Sequence, residues 1–567
     1  MEFVYFDSEN PPTASFFSGY GFIDNKFIIS NKLSEMEVSS GNDGAYVTCR
    51  VDKDSICFGV DWMGAGRWFY YKDNEDLNFW AVSNSLWMLI ERLSQSGKKL
   101  TPDGAMIKLW GYRGAFVEQM QSNDTIISEI KLASRWEDIN IIEGNNFSDK
   151  ISLVERRKIN DMPISYKDAL KAYLCETEKR LRSLALSKTL LKFDLSGGLD
   201  SRTTFAFASY MVKADSSLKN NISIFSNPGE RHAVDFMIAN KIASERGMKL
   251  TKSRKSPAKI SSGVTPLRNW ELNRLGQYTL TRMIPAAGID VGQAKISGAG
   301  GESYRQFWEK WGADFYELLH NRRSFLFRPI KDTDAVAKRV SRSVDRMRSY
   351  YPKFLNELNS HYREFRSRMH MGIPATEDLL LHPLSGSKMD ALADASPESY
   401  FNNRQVYFDI IANLDYNLLE TEFDDPNKGP SEDNIKNITY VDFSPSLELY
   451  EKMVINTLDE DIVKPEQKKE AIKELCDTVL YARASLPCDY SVKGSYVDEM
   501  LSKLIELGEL EKQSEMQPLQ YVYLVDKLSA LVDLRSEYHD TNRFKNRFEN
   551  VFLALKYKFK KHMNRFF

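Results

Sequence analysis

Hydrophobic positions along this chain change their spacing between its first and second parts. Up to about residue 145, short apolar runs alternate with clusters of Asn, Asp and Gly, which predicts β-strands joined by turns. From Ser165 onward, apolar positions recur at helical spacing, and short apolar runs at 190–195 and 222–226 separate the helical stretches. This alternation is typical of a parallel sheet with crossover helices. The pattern therefore predicts an α/β chain with a β-rich N-terminal part.

The length of 567 residues predicts more than one domain, because a single hydrophobic core does not grow to this size. We predict a β-rich domain over 1–145, a polar linker over 146–164 and an α/β domain over 165–430. A mainly helical extension is predicted over 431–567. Near its end, in 544–559, apolar residues share one helical face, with Lys and Arg between them. Such a helix binds an anionic membrane surface or a partner, or packs on its own domain.

Composition narrows the classes of protein. Apolar residues make up 42% and charged residues 28%, as in folded globular proteins, and the net charge of -2 predicts no nucleic-acid partner. The five cysteines form no CxxC pair, which favours a reducing compartment over a disulfide framework or a zinc site. The first residues lack the features of a signal peptide, and no apolar run approaches a membrane span, so we expect a cytoplasmic protein.

The residues most suited to binding or catalysis lie directly after the apolar run 190–195. A strand, a turn of small residues and a helix N-terminus are predicted there in succession, and together they form a common anion site. Gly197 and Gly198 would admit a phosphate close to the backbone, and Asp200 would reach Mg²⁺ beside it. The alternative is a turn that binds nothing. The predicted phosphate-binding residues in this loop are Leu195, Ser196, Gly197, Gly198, Leu199, Asp200 and Ser201.

The sequence of this loop, Ser-Gly-Gly-x-Asp-Ser, resembles the pyrophosphate loop of the ATP pyrophosphatases, the superfamily of asparagine synthetase, GMP synthetase and argininosuccinate synthetase. Residues 59–71 are similar to a hairpin in the glutaminase domain of asparagine synthetases, and 79–84 and 125–132 are similar to segments that follow it there. The resemblance implies an N-terminal αββα sandwich of the Ntn-hydrolase type. It implies that an adenine-nucleotide α-hydrolase-like domain with a parallel sheet follows, and that ATP and Mg²⁺ bind there.

A second signature of that family, Leu-Ser-Gly-Asp/Glu-Gly-x-Asp-Glu, resembles residues 297–302, which read SGAGGE. Ser297, Gly298 and Gly300 match it, and the resemblance implies that Ser297 and Gly298 contact the nucleotide. Two positions depart from it. Ala299 stands where relatives carry an acidic residue or a tyrosine that acts on the substrate, and Glu302 stands where they carry a metal-binding aspartate.

The resemblance implies further site residues. Glu302 would join Asp200 in a metal pair, and Ser226 would lie among the strand-end groups that hold adenine. Lys428 is similar to a lysine near the α-phosphate of ATP, which would stabilise charge as pyrophosphate leaves. Asp200 and Lys428 are therefore the predicted catalytic residues. For Lys428 the alternative is a solvated loop lysine, and Asp235 is expected to be a surface or capping residue.

The family's glutaminase uses an N-terminal cysteine, whereas this chain begins with Met1 and its first cysteine, Cys49, is expected to lie in a core. The chain is in this respect similar to β-lactam synthetases, carbapenam synthetases and lasso-peptide cyclases. The implied function is that of an AMP-forming ligase, which adenylates a carboxylate of a small molecule or peptide and forms an amide. The alternatives are a catalytically inactive nucleotide-binding or partner-binding homologue and a glutamine-hydrolysing asparagine synthase. A homodimer is among the expected assemblies.

Overall fold

The computed structural model describes residues 1–73, 75–76, 78–101, 103, 106, 120–125, 127–142, 151–156, 164–251, 259–260, 272–273, 289–305, 317, 333–351, 354–375, 379–456 and 461–462. These residues form a mixed α/β structure with several sheets, one of which is entirely parallel.

The strands are β1 (Tyr5–Asp7), β2 (Phe16–Ile23), β3 (Lys26–Glu35), β4 (Gly44–Val51), β5 (Ser55–Val60), β6 (Phe69–Lys72), β7 (Trp80–Ser83), β8 (Ile130–Leu132), β9 (Glu137–Ile142), β10 (Ile151–Glu155), β11 (Leu190–Asp194), β12 (Ile222–Phe225), β13 (Lys259–Ile260), β14 (Gln293–Ile296), β15 (Leu380–Leu381), β16 (Glu451–Asn456) and β17 (Asp461–Ile462). The α-helices are α1 (Leu86–Gln95), α2 (Tyr166–Leu186), α3 (Leu199–Ala214), α4 (Ala233–Glu245), α5 (Thr333–Asp345), α6 (Glu357–His361), α7 (Arg368–Ala375), α8 (Ser387–Ala395), α9 (Glu398–Asn403), α10 (Gln405–Asp415), α11 (Asn417–Glu420) and α12 (Glu432–Lys436). None of these helices combines the length and the apolar character that crossing a membrane requires.

Two sheets face each other in the N-terminal part. The larger has the strand order β10-β9-β5-β4-β2-β3-β16, and the smaller has the order β1-β7-β6-β8. Val47 and Phe58 of the larger sheet share a core with Tyr70 and Val82 of the smaller. Helix α1 packs on the other side of the smaller sheet through Leu89 and its neighbours. The β-strands predicted in this part are therefore confirmed.

The N-terminal sheet extends beyond the predicted boundary at residue 145. Strand β10 pairs with β9 along its whole length, so part of the predicted linker is an edge strand. Its sequence, ISLVE, is short, and only Ile151 is fully buried, so it gives a weak strand signal. Strand β16 pairs in parallel with β3, so the predicted helical extension contributes a strand near its beginning. Residues 463–567, where most of that extension is predicted, lie outside the described residues.

The parallel sheet has the order β12-β11-β14-β15. Leu191 pairs with Ile222 on one side and with Ala294 on the other, so β11 is internal. Leu191 and Phe193 are fully buried, because helices cover the sheet and continue its core. The predicted strands at 190–195 and 222–226 are thus confirmed. Leu250 forms a single parallel bridge with Ile224 of β12.

Candidate functional site

The loops after β11 and β14 meet at the carboxyl edge of the parallel sheet. The chain leaves β11 towards β12 on one side and leaves β14 towards β15 on the other. In open α/β sheets, ligands bind in the crevice at such a reversal of strand order. The two loops are in contact, since a Cβ atom on Gly298 would lie 2.8 Å from the carbonyl carbon of Asp200 and the nitrogen of Ser201. The structure therefore brings the two sequence motifs together.

The first loop is closed by its own serines. The N–H of Ser196 donates to Oγ of Ser201 at 3.1 Å, the N–H of Gly198 donates to Oγ of Ser196 at 3.2 Å, and the two hydroxyl oxygens are 2.9 Å apart. Helix α3 begins directly afterwards, with Gly198 at the N-cap and no side-chain cap. The first N–H groups of α3 are thus not capped by a side chain, and the helix dipole adds positive potential at that end.

Asp235 holds one amide of this loop. Its Oδ1 atom accepts the N–H of Gly197 at 2.8 Å, from the first turn of α4. Asp235 therefore has a structural role at the site. The sequence predicts only a surface or capping residue at this position. Its position in the first turn of the helix that follows β12 could have indicated this role. In a parallel sheet, the helices that follow the strands begin at the same edge of the sheet.

The Asp200 carboxylate has two different environments at its two oxygens. Oδ2 accepts a hydrogen bond from Nη2 of Arg305 at 2.7 Å, whereas Oδ1 is buried and has no hydrogen-bond partner among the described residues. Gly301 closes over it, since a Cβ atom there would lie 2.5 Å from Oδ1. Burial raises the pKa of the Asp200 carboxyl to about 6, against the lowering effect of Arg305, and the charge of Glu302 raises it further. A proton or a cation would satisfy this oxygen.

Glu302 lies in the 3₁₀ turn Gly301–Tyr304, close enough to Asp200 to influence its pKa. No cluster of three or more His, Cys, Asp or Glu side chains arranged to hold a metal occurs within the described ranges. Two carboxylates still fit Mg²⁺, because this ion is usually bound by one or two carboxylates together with substrate phosphates and water. The unpartnered Oδ1 of Asp200 is consistent with that use. Asp200 and Glu302 could therefore hold Mg²⁺ that arrives with a polyphosphate.

Lys428 is joined to the first loop through Asp424. The Nζ atom of Lys428 forms an ion pair with Oδ2 of Asp424, and the N–H of Asp424 donates to the carbonyl oxygen of Gly197 at 3.2 Å. The Lys428 side chain is 41% exposed, so its ammonium group remains accessible at the rim. The predicted lysine thus lies at the crevice, within range to lower the pKa of Asp200.

Two arginines that sequence reasoning missed join Lys428 around Asp200. Arg305 pairs with Asp200 directly. Arg404, which has a left-handed φ of 63°, donates from Nη2 to the carbonyl oxygen of Asn427 at 2.7 Å. Burial lowers the pKa of Arg404, and the charge of Arg305 lowers it further. Three cations therefore share the space over the crevice, an arrangement suited to a polyanion.

Arg202, one residue beyond the motif, organises the segment that leads to Lys428. It is fully buried and donates to four carbonyl oxygens, those of Gly197 at 3.4 Å, Leu418 at 2.9 Å, Thr421 at 2.7 Å and Glu422 at 2.6 Å. Burial lowers the pKa of this guanidinium to about 10, so it stays charged at neutral pH. The contacts place the following residue pair, Phe423 and Asp424, against the first loop.

Ser226 and Ser297 occupy the carboxyl ends of the neighbouring strands. Ser226 is 4% exposed, and its Oγ atom has no hydrogen-bond partner in the part of the chain that the structure describes. Ser297 donates its N–H to the carbonyl oxygen of Leu381 at 3.0 Å, and its Oγ accepts the N–H of Ala299 at 3.1 Å. Ser226 thus offers an unused hydroxyl at this edge, whereas Ser297 mainly shapes the second loop.

Cys49 and Cys57 lie in strands β4 and β5 of the N-terminal sheet, and Cys49 lies in a core, as the sequence predicts. Cys49 is fully buried, and burial raises the pKa of its thiol well above the usual range. Burial also raises the pKa of Cys57 to about 11. Raised pKa values disfavour the thiolate form, which is the nucleophilic form of cysteine.

No model of a known protein family matches the chain, and no curated protein matches it. What the site can do is therefore inferred from its residues and their geometry.

Proposed function

We propose that this protein is an ATP-dependent, AMP-forming ligase that joins a substrate carboxylate to an amine without hydrolysing glutamine. The contact between the two loops carries the proposal: Gly298 abuts the backbone at Asp200, and Oδ1 of Asp200 is left unpartnered in the crevice. On this proposal, the parallel sheet belongs to a nucleotide domain of the adenine-nucleotide α-hydrolase type. The two-sheet part is then an Ntn-hydrolase-like domain.

In the first step, an oxygen of the substrate carboxylate attacks the α-phosphorus of ATP. The bond between this phosphorus and the oxygen that bridges to the β-phosphorus breaks, and pyrophosphate leaves with the electron pair. The uncapped N–H groups at the start of α3 would bind the leaving group, and Lys428 would stabilise its charge. Mg²⁺ held by Asp200 and Glu302 would neutralise phosphate charge.

In the second step, an amine nitrogen attacks the acyl carbon of the mixed anhydride. The carbon–oxygen bond to AMP breaks, and the nitrogen loses a proton as the amide forms. Ala299 has no group that accepts this proton. Glu302, three residues along the same loop, is the carboxylate that we assign to this transfer in addition to metal binding.

A second candidate is a nucleotide-binding protein without turnover. The ion pair between Arg305 and Asp200 favours it, because the arginine occupies an oxygen that a metal would otherwise share. Ala299 also favours this candidate, because it lacks the functional group that the resembled family carries at this position. This candidate predicts that a nucleotide binds and that no pyrophosphate is released.

Two measurements on the full chain separate these candidates. Calorimetry with Mg·ATP tests binding, and exchange of labelled pyrophosphate into ATP, over a panel of carboxylic acids, tests adenylation. We expect binding and exchange by the wild type, and about a tenfold or greater loss of affinity in Asp200→Asn. Asp433→Asn, which changes an exposed aspartate on α12, is the matched control. Absence of Mg·ATP binding by the wild type refutes both candidates, and binding without exchange for any acid supports the second.

A further inference from the structure

A buried carboxylate, that of Asp390 on α8, connects the N-terminal sheets to the second loop. Its Oδ1 atom accepts a hydrogen bond from the hydroxyl group of Tyr304 at 2.8 Å, and Tyr304 ends the 3₁₀ turn that contains Glu302. Its Oδ2 atom accepts hydrogen bonds from Nε1 of Trp62 at 2.7 Å and from Nη1 of Arg135 at 3.4 Å. Trp62 follows β5 and Arg135 precedes β9, so both of these donors belong to the N-terminal part.

This connection is shielded from water. Tyr304 is 2% exposed, Asp390 6% and Arg135 1%. Arg135 offsets the charge of Asp390, and Oε2 of Glu364 also lies 3.7 Å from Nε of the arginine. Hydrogen bonds to a buried carboxylate are costly to lose, because no water replaces the missing donor. The geometry around Asp390 is therefore tightly constrained.

Helix α8, which carries Asp390, is held by the N-terminal part at a second point. Asp43, directly before β4, accepts hydrogen bonds from the N–H and the hydroxyl group of Ser387, both at 2.7 Å. Ser387 is the first residue of α8, and Asp390 lies three residues further on. The two contacts fix the first turn of this helix against the N-terminal sheets.

The 3₁₀ turn at the other end of the connection faces the site. Residues three apart in a 3₁₀ helix lie on the same side, so Gly301 and Tyr304 share a face. Gly301 is the residue that closes over Oδ1 of Asp200. Within the second part of the chain, Nε of Arg363 donates to the carbonyl oxygen of Ser303 at 2.9 Å and supports the backbone of the turn. The hydrogen bond of Tyr304 to Asp390 adds a support that depends on the N-terminal sheets.

We propose that Tyr304 and Asp390 are positioning residues, through which the N-terminal sheets hold the second loop and keep Glu302 beside Asp200. This gives the N-terminal part a role at the site that requires no reactive cysteine. The positioning does not depend on a nucleotide, whereas its consequence for Mg²⁺ rests on the proposed function. Simple packing of the two parts is the alternative, and it predicts no selective effect on the second loop.

Hydrogen exchange of the full chain without nucleotide tests the positioning. The N–H of Ser303, which donates to the carbonyl oxygen of Gly300 at 2.9 Å, reports opening of the turn. We expect its exchange to be about tenfold faster in Tyr304→Phe and in Trp62→Phe, because each variant removes one donor to Asp390. Trp62→Phe acts from the N-terminal part, so it carries the test if Tyr304→Phe fails to fold.

Two variants are matched controls, because each removes the same chemical group elsewhere. Tyr166→Phe removes a hydroxyl group that donates to Asp409 at 2.7 Å, and Trp68→Phe removes an indole N–H that donates to the carbonyl oxygen of Gly59 at 2.9 Å. Both should leave exchange at Ser303 unchanged. The proposal is overturned if exchange at Ser303 keeps its wild-type rate in Tyr304→Phe and Trp62→Phe, or if it accelerates equally in the controls. Acceleration in Tyr304→Phe alone overturns the role of the N-terminal sheets.

Calorimetry with ATP, in the presence and absence of Mg²⁺, tests the placement of Glu302. Tyr304→Phe should reduce the gain in affinity that Mg²⁺ provides by about tenfold and leave binding of metal-free ATP unchanged, because Glu302 belongs to the metal pair. An equal loss of affinity with and without Mg²⁺ overturns this placement. Absence of ATP binding by the wild type refutes the proposed function, and the exchange rates at Ser303 then decide the positioning by themselves.

Discussion

The Oδ1 atom of Asp235 accepts the backbone N–H of Gly197 at 2.8 Å, across the carboxyl edge of the parallel sheet. The hydrogen bond connects the first turn of α4 to the loop after β11, so the loop conformation depends on a residue beyond the next strand. It also means that this amide is already engaged. A phosphate in the crevice would therefore rely on the serine hydroxyls and on the first N–H groups of α3.

Asp235→Ala should destabilise the protein by about 1–2 kcal/mol, because a hydrogen bond to a charged acceptor is lost while the side chain is only partly buried. Asp235→Asn should cost less, since the amide oxygen can still accept the bond. Urea unfolding measures both, and hydrogen exchange at Gly197 should be faster in Asp235→Ala. His232→Ala, beside Asp235 and 50% exposed, is the control. Equal stability of Asp235→Ala and the wild type would contradict this role.

The two glycines of the loop should respond differently to alanine. A Cβ atom on Gly197 would lie 2.7 Å from Cβ of Asp424, whereas one on Gly198 would meet Oγ of Ser196 at 3.4 Å and Oδ1 of Asp424 at 3.9 Å, which are ordinary contact distances. Gly197→Ala should therefore lower the free energy of unfolding by about 1–3 kcal/mol through overpacking. Gly198→Ala should change it by less than about 0.5 kcal/mol.

The variants Gly197→Ala and Gly198→Ala also distinguish an effect on folding from an effect on ligand binding. If a phosphate approaches the backbone at Gly198, the added methyl group should weaken Mg·ATP binding about tenfold or more in a protein of unchanged stability. Calorimetry and urea unfolding on both variants provide the comparison. Unchanged nucleotide affinity in Gly198→Ala would place the phosphates elsewhere.

The strand, turn and helix that form the first loop can be predicted from the local sequence. The long-range contacts that hold this loop in place cannot. Strand β11, the glycine turn and α3 are contiguous, so apolar spacing and turn residues predict them together. The contacts of Arg202 join residues 216 positions apart, and β16 pairs with β3 across most of the described chain. Such pairings are fixed by tertiary packing and have no local periodicity. Arg305 was missed for a similar reason, since only the fold shows that it faces Asp200.

Arg202→Met should destabilise the chain by about 3 kcal/mol or more, since the four carbonyl oxygens that Arg202 holds would lose its hydrogen bonds. Arg202→Lys should recover only part of this, because an ammonium group does not match the fork of a guanidinium or its stacking on Phe423 at 3.6 Å. Urea unfolding measures the loss. Because the segment before Lys428 would loosen, acylation of Lys428 by a reagent should become faster. The idea fails if Arg202→Met unfolds at the wild-type urea concentration.

Asp200→Asn should change how stability depends on pH. Burial raises the pKa of Asp200 from 3.8 to about 6 in the folded state, so the folded protein binds more protons than the unfolded chain between these values. The contribution of Asp200 to stability therefore falls as pH rises through this window. Above pH 6 the folded protein bears the full free-energy cost of burying the ionised carboxylate. Asparagine does not ionise, so the stability of Asp200→Asn has no contribution of this kind that depends on pH. The stability of Asp200→Asn relative to the wild type should thus improve by about 2 kcal/mol between about pH 4 and pH 7.

Urea unfolding of both proteins over this pH range measures the difference, and terms that do not depend on pH only shift it by a constant. Arg305→Gln provides a second check, because the charge of Arg305 lowers the pKa of Asp200 in the folded protein. Its removal should raise that pKa further and extend the decline in stability above pH 6. Parallel stability curves for the wild type and Asp200→Asn from pH 4 to pH 7 would show that the Asp200 carboxylate is solvated, and the unpartnered Oδ1 atom would then no longer support a cation site.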